Sequence, residues 1–213
     1  MNTTNLFVEL VVIGAGATIG LLLLVLSIFG YTWVPWKELT SSTMLIPLLS
    51  IIYLLGIIVD RISDQVTKKW DQGFRLSKFS EGNSKIRYEE ANKKYHKART
   101  FIYSHASNQI ISLFEYGRSR LRICRAWGIN SIVLGISIPL FFWRNFPQLS
   151  SVAKLAITFL SIFFFGILAI INFFTWRKLT LNDYQRLLET YNLLMSEKDK
   201  NPPFKDLSER YRC

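Results

Sequence analysis

Cysteine and histidine are scarce in this sequence, with two of each among 213 residues. Cys124 and Cys213 form no CxxC pair, and no Cys/His cluster has the spacing of a metal site. We therefore expect neither a disulfide framework nor a structural metal, and we expect His96 and His105 to be surface residues.

The motifs of several large enzyme classes are also missing. The sequence has no P-loop, no GxSxG, no HExxH and no arrangement of paired carboxylates. The run GAGATIG at 14–20 superficially resembles a dinucleotide-binding fingerprint, but it lies inside an apolar stretch with no preceding strand. We expect no enzymatic activity and no cofactor.

Charge is absent from four long stretches of the chain. They hold 27, 21, 18 and 22 residues, at 10–36, 39–59, 126–143 and 155–176. A helix rises ~1.5 Å per residue, so ~20 apolar residues cross a ~30 Å hydrocarbon core. A soluble domain would not segregate its hydrophobic residues into such blocks. The sequence predicts an all-α membrane protein with four transmembrane helices.

The uncharged stretches set the predicted domain organisation. Residues 1–60 form one transmembrane hairpin and residues 126–176 another, separated by a basic helical cytosolic insert at 61–125 and followed by a C-terminal region at 177–213. The helices of the hairpins are expected at about 8–30, 43–60, 126–143 and 153–176.

The two remaining regions are also predicted to be helical. The insert has helical stretches at about 61–78 and 85–125 around a turn, with Gly117 as a flexible point. The C-terminal amphipathic helix carries apolar residues at helical spacing and begins at a cap, Thr180 or Asn182. We expect it to pack on the insert or on another subunit, and the alternative is that it lies flat on the membrane.

Basic residues are concentrated in two of these parts. Residues 61–125 contain fifteen Lys and Arg against six Asp and Glu, and the region from 177 contains eight more, so the two hold 23 of the 26 basic residues. Four spans place both parts and the N-terminus on one side. The positive-inside rule assigns that side to the cytosol.

Small and amide residues mark two of the predicted spans. Gly16 and Gly20 form a GxxxG spacing in span one, beside the pair Gly14 and Thr18, which indicates a helix-packing or oligomer interface. Asn130 and Asn172 can hydrogen-bond between helices or line a wet passage. Our hypothesis for a pore lining takes residues from spans one and three: Gly16, Thr18, Gly20, Asn130 and Ser131.

Charged residues also stand at the cytosolic ends of the spans. Asp60 and Arg61 end span two, and Glu9 lies at the same depth on span one, where it can face Arg61 or a basic residue of span three. Glu115 lies one turn from Arg118 and can pair with it. These four acidic or basic side chains, Glu9, Asp60, Arg61 and Glu115, either mark helix ends or form a gate. No span carries a charge at its centre, which argues against a proton relay or a voltage sensor.

The densest basic motif leads into span three. At ~100° per residue, Arg118, Arg122 and Arg125 share one helix face and Arg120 lies opposite. One interpretation is a set of anchors for anionic lipid phosphates. The other is an anion site, repeated around an oligomer axis, because the planar guanidinium favours phosphate.

A second basic run combines Lys93, Lys94, Lys97 and Arg99 with interleaved aromatic residues. Basic and aromatic residues together suit single-stranded nucleic acid, through backbone attraction and base stacking. The alternative is an amphipathic helix that packs on its neighbours. That helix would bury the apolar residues Ile86, Tyr95, Phe101 and Ile102.

This layout resembles four-helix membrane effectors of bacterial antiviral defence operons, in particular the Hailong-type effector and four-span effectors associated with nucleotidyltransferases. The membrane subunit of Kiwa-type systems is a second resemblance. The likeness covers most of the chain as architecture and rests on the motifs Val59-Asp60-Arg61 and 115–125. It implies a homo-oligomeric channel, with a tetramer as our guess, in the bacterial inner (cytoplasmic) membrane with both termini cytosolic. A nucleotide or single-stranded oligonucleotide on the cytosolic face would control opening.

A different class of function is also compatible with the sequence. A membrane-anchored sensor or scaffold would use the same basic face to recruit a cytosolic, DNA-binding partner from the same operon. A small-solute transporter is disfavoured because the centres of spans three and four are apolar.

Overall fold

A computed structural model describes residues 3–35, 41–80 and 87–200, with side chains for 6–35, 41–80 and 87–196. These described residues are almost entirely helical and contain no β-strand. The five α-helices are α1 (Thr3–Phe29), α2 (Leu45–Phe79), α3 (Tyr88–His105), α4 (Asn108–Asn145) and α5 (Ser151–Lys200). A 3₁₀ turn at Ser42–Met44 precedes α2.

Four of these helices are long and apolar enough to cross a membrane, namely α1, α2, α4 and α5. Their mean hydropathies over the most apolar windows are 2.6, 2.3, 1.5 and 2.4. The predicted all-α class and the number of candidate spans are therefore confirmed, which supports a multi-pass membrane protein.

The helices differ from the predicted elements mainly at their ends. The C-terminal helix is not a separate element, since α5 continues without interruption through the expected caps at Thr180 and Asn182. No Gly or Pro occurs between Trp176 and Asn182, so nothing there breaks the ladder of hydrogen bonds. In the same way, α2 continues from the uncharged stretch to Phe79.

The break within the insert lies ten residues before the expected flexible point. Gly117 is inside α4, whereas the chain leaves α3 at Ala106, whose extended backbone has ψ 156°. The next residue, Ser107, is of the type that caps helices, and its carbonyl accepts the first bond of α4 from Ile111 N–H. The predicted turn of the insert, at 80–84, lies outside the described residues except for Ser80, and so does the tail beyond Lys200.

The chain divides into two compact units that share α2, α4 and α5. Unit 1 comprises Met1–Lys69 and Tyr116–Leu179, and unit 2 comprises Trp70–Glu115 and Thr180–Cys213. Unit 1 contains α1 and the uncharged stretches of the other three long helices. Its α1 ends at Gly30, whose φ of 81° and N–H bond to Leu26 O form a left-handed cap that glycine adopts without strain.

Unit 2 has its own hydrophobic core at the junction of four helical segments. Three residues of α3, namely Tyr95, Ala98 and Ile102, are buried against Tyr184 and Leu187 of α5. The remaining buried members of this core are Phe79, Ala91 and Phe114. The expected packing of the C-terminal helical segment on the insert is thus confirmed. So is the amphipathic alternative for Tyr95 and Ile102, while Ile86 lies outside the described residues.

Candidate functional site

The glycines of α1 pack against helices of the same chain. A Cβ at Gly14 would overlap the Ile52 carbonyl of α2, and one at Gly56 would overlap the Leu10 carbonyl of α1, so these two helices cross with their backbones in contact. Gly16 and Gly20 instead face α4, where a Cβ would lie 2.8 Å from Asn130 Nδ2 and 2.9 Å from Val133 Cγ1, respectively. The GxxxG pair therefore serves intrachain packing.

The polar residues predicted to line a pore are used in the same contacts. Asn130, which is 1% exposed, donates from Nδ2 to the Ile13 carbonyl of α1 at 2.8 Å, the interhelical bond that we expected. Ser131 is buried and donates to Trp127 O within α4, and Thr18 donates to Gly14 O within α1. Asn172 also bonds its own helix, at Leu168 O. These side chains hold unit 1 together or satisfy their own backbone.

Charged residues of α1, α2 and α4 meet at one end of unit 1. Arg125 Nη1 donates to Asp64 Oδ1 at 2.6 Å, and its Nη2 lies 3.5 Å from Asp60 Oδ1. Arg122 Nη1 lies 3.8 Å from Glu9 Oε2. We call these five residues the end cluster. Of the two alternatives for Glu9, the structure places it near Arg122, which leads into span three, while Arg61 is exposed.

The end cluster is incompletely satisfied inside the protein. Glu9 Oε2 and Arg125 Nε are both buried and make no hydrogen bond within the described part of the chain. The Glu9 side chain is only 6% exposed, and Arg122 is too distant for a short bond. Burying a carboxylate with only one long ion pair costs free energy of folding. Small movements of α1 and α4 at this end of unit 1 would therefore change the stability.

The arginine motif is therefore divided between two environments. Arg122 and Arg125 point to carboxylates of the end cluster, whereas Arg120 is exposed with its guanidinium 5.6 Å from the Tyr116 ring. Arg118 and Glu115 are half-buried and both take part in interactions. Two of the four arginines are already neutralised, which leaves a weaker anion site on this motif than the sequence indicated.

The second basic run, by contrast, is mostly exposed to solvent. Lys93, Lys94 and Lys97 lie on the exposed side of α3, while Arg99 is half-buried with its guanidinium 5.8 Å from the Tyr103 ring. Exposed lysines at i and i+4 are spaced by ~6 Å along the helix. Unit 2 thus presents basic charge on α3.

A partly buried polar network in unit 2 was not predicted. Tyr184 donates to Asp71 Oδ1 at 2.7 Å, and Arg75 contacts Asp71 Oδ2 at 2.9 Å and Asn92 Oδ1 at 2.6 Å. The Arg75 guanidinium also lies 4.3 Å from the Tyr95 ring centroid. The i, i+4 spacing of Asp71 and Arg75 could have indicated that pair, but no local pattern pairs it with Tyr184.

The network changes the ionisation of two of its members. Burial raises the pKa of Tyr184 well above its usual range, and the negative charge of Asp71 raises it further. Burial alone would lower the pKa of Arg75, but attraction to Tyr184 and Asp71 outweighs it and raises that pKa above the ordinary value. At neutral pH the network therefore holds a neutral phenol beside a guanidinium–carboxylate pair.

Comparisons with protein-family models, curated proteins and solved structures found no match for this chain.

Proposed function

We propose that the protein is a homo-oligomeric channel of the bacterial inner membrane, opened or closed by a nucleotide or oligonucleotide on the basic surface of unit 2. The observation that carries this proposal is the unequal burial of the apolar helices. In their most apolar windows, 33% of α1 and 39% of α4 is buried within the chain, against 6% of α2 and 6% of α5. Lipid or further copies of the chain must cover α2 and α5.

A conducting path would then form between subunits. The small and polar residues of α1 and α4 are occupied in intrachain contacts, so the lining falls to the exposed faces of α2 and α5. Those faces carry large apolar side chains, including Ile51, Leu54, Ile58, Phe163 and Ile170. An apolar constriction gates by dewetting, so a small change in helix position would control conduction.

The same helices carry the proposed control. Unit 2 includes the ends of α2 and α5 and the start of α4, and each of these helices is continuous with an uncharged stretch in unit 1. Neutralising Lys93 and Lys97 on α3 by a bound anion would change the electrostatics of unit 2. Only Ala106 and Ser107 separate α3 from α4, and α4 also carries both arginines of the end cluster.

Ion flux from liposomes tests this proposal. Purified protein in vesicles loaded with a fluorescent ion indicator is exposed to short single-stranded oligonucleotides and to nucleotides at low salt. We expect a ligand-dependent change in flux that is lost in Lys93→Ala/Lys97→Ala and kept in Lys178→Ala, an exposed lysine of unit 1. Equal flux with and without every ligand would contradict the proposal.

A membrane-anchored sensor that recruits a cytosolic partner is a second candidate. The observation that favours it is that Thr18, Asn130 and Ser131 are bonded within the chain. These polar side chains of α1 and α4 are therefore not available to line a conducting path. Here the four helices are an anchor, and the lysines of α3 bind an acidic or DNA-binding protein. A stoichiometric soluble partner in a pull-down, from a protein without conductance, would favour this function.

A further inference from the structure

A shallow groove in unit 2 runs along α3. It has a volume of about 460 Å³, is open to solvent, and is lined among the described residues by His96, Lys97, Thr100, Phe101 and Ser104. The groove combines one lysine with two aromatic rings and two hydroxyl groups. This composition suits a ligand with both a charged and an aromatic part.

Beside the groove, a second aromatic ring is stacked on Phe101, one of its lining residues. The His105 imidazole lies on the Phe101 ring with centroids 4.2 Å apart and an interplanar angle of 15°. Contacts of His105 Nδ1 with Ser104 Oγ at 2.7 Å and Phe101 O at 3.1 Å fix the imidazole in this position. Tyr191 of α5 in turn packs edge-on against Phe101, with centroids 5.5 Å apart.

This arrangement leaves the His105 ring both fixed and accessible. Phe101 is half-buried, whereas His105 above it is exposed. A preorganised aromatic surface favours stacking of a nucleobase, because the protein side chain then loses little further freedom on binding. Histidine is among the side chains on which unpaired bases stack.

The groove itself supplies positive charge and hydrogen-bond donors. Lys97 is exposed two turns before His105 on α3, and Thr100 lies between them. Eight residues of helix span ~12 Å, which matches a nucleotide from its base to its phosphates. Lys93 extends the positive charge one further turn along the same face.

We propose that this groove is a nucleotide-binding site, with the base stacked on the exposed His105 ring beside it and the phosphates at Lys97. The inference rests on the proposed function, since it names the site and the ligand class for the control of that channel. A lipid headgroup or free phosphate shares the phosphate chemistry but would leave the His105 ring unused.

Binding of a ribose-labelled fluorescent analogue of adenosine triphosphate tests the site. Full-length protein in nanodiscs of zwitterionic lipid is titrated with the analogue at low salt. We expect His105→Ala and Lys97→Ala each to weaken binding about tenfold, and Lys178→Ala to leave it unchanged. His105→Phe keeps a flat ring and should restore the affinity, which a merely structural role of His105 would not predict.

Competition separates a nucleotide from other phosphates. Adenosine monophosphate should displace the analogue at lower concentration than inorganic phosphate does, and nanodiscs with anionic lipid should not abolish binding. Unchanged affinity in His105→Ala, equal competition by phosphate, or no binding to the wild type would each overturn the inference. Matching thermal unfolding midpoints show that the variants are folded.

Flux measurements on the same variants distinguish this inference from the channel proposal. Ligand-dependent flux that persists in His105→Ala would place the controlling site elsewhere and leave the channel standing. If His105→Ala loses binding but the wild type shows no ligand-dependent flux, the nucleotide site is established and the channel proposal fails.

Discussion

Gly14 tolerates little change, because α1 and α2 touch there through their backbones. A methyl group at this position would overlap the Ile52 carbonyl, and backbone cannot move aside as a side chain can. We expect Gly14→Ala to lower the free energy of unfolding in detergent by about 1–3 kcal/mol.

Gly166→Ala is the matched control in α5, since nothing lies within 4 Å of the added Cβ. Alanine favours helix over glycine by about 1 kcal/mol, so this variant should be unchanged or more stable. Equal thermal stability of the two variants would show that α1 and α2 do not cross at Gly14.

Tyr184 makes the stability of unit 2 depend on alkaline pH. In an unfolded chain its phenol ionises near pH 10, whereas burial and Asp71 raise the pKa in the folded state. The stabilising contribution is thus full below about pH 10 and falls as pH rises above that value, by about 1.4 kcal/mol per pH unit.

Tyr184→Phe removes this ionisation together with the bond to Asp71. We expect the variant to be less stable at pH 8 and the difference from the wild type to narrow between pH 10 and 11. Denaturant unfolding at these pH values measures both effects. A constant difference across that range would mean that Tyr184 is not buried beside Asp71.

Among the elements, α4 is the one on which the packing of unit 1 depends. Its Asn130 bonds α1, and its Arg122 and Arg125 face the carboxylates of α1 and α2. The Arg125 side chain is 15% exposed, as is that of Asp60, so their charges are only partly screened by water. Removing one partner of such a pair leaves a charge without compensation.

We therefore expect Arg125→Met to destabilise unit 1 by about 1–3 kcal/mol, less than a fully buried pair would cost because Asp64 is exposed. The double variant Arg125→Met/Asp60→Leu should recover part of this loss. Arg120→Ala, at an exposed position on the same helix, should have little effect. Additive losses in a double-mutant cycle of Arg125 and Asp60 would contradict the pairing.

The helices follow from short-range features of the sequence, but the side-chain pairs between helices do not. Uncharged length predicted the four long apolar helices, and small residues in α1 predicted close packing. The partners of Arg125, namely Asp60 and Asp64, lie over 60 residues away in sequence, and no local spacing indicates them. The continuity of α5 was missed because Thr180 and Asn182 were interpreted as caps at the start of a separate helix.

For the whole molecule, the distribution of charge and the burial of the helices both favour one arrangement: apolar helices in a bilayer, with the basic regions at its cytosolic surface. Basic residues are concentrated at 61–125 and after 177, and only 6% of the apolar windows of α2 and α5 is buried within the chain. In a bilayer, both features are favourable, because lipid covers apolar faces and the cytosolic leaflet attracts lysine and arginine. In water, the exposed apolar surface would cause aggregation.

Labelling of single cysteines tests this arrangement on the intact protein. Cys124 and Cys213 are first replaced by serine, and one cysteine is then introduced at Ser107 or at Gln148, two exposed positions before and after the long apolar part of α4. If α4 crosses the membrane with its basic end in the cytosol, an impermeant maleimide should label Gln148→Cys in intact spheroplasts and Ser107→Cys only in inverted vesicles. Ser137→Cys, at a position buried within α4, should react only after denaturation. Labelling of Ser107→Cys and Gln148→Cys from the same side would mean that α4 does not cross the bilayer, and the channel proposal would fail with it.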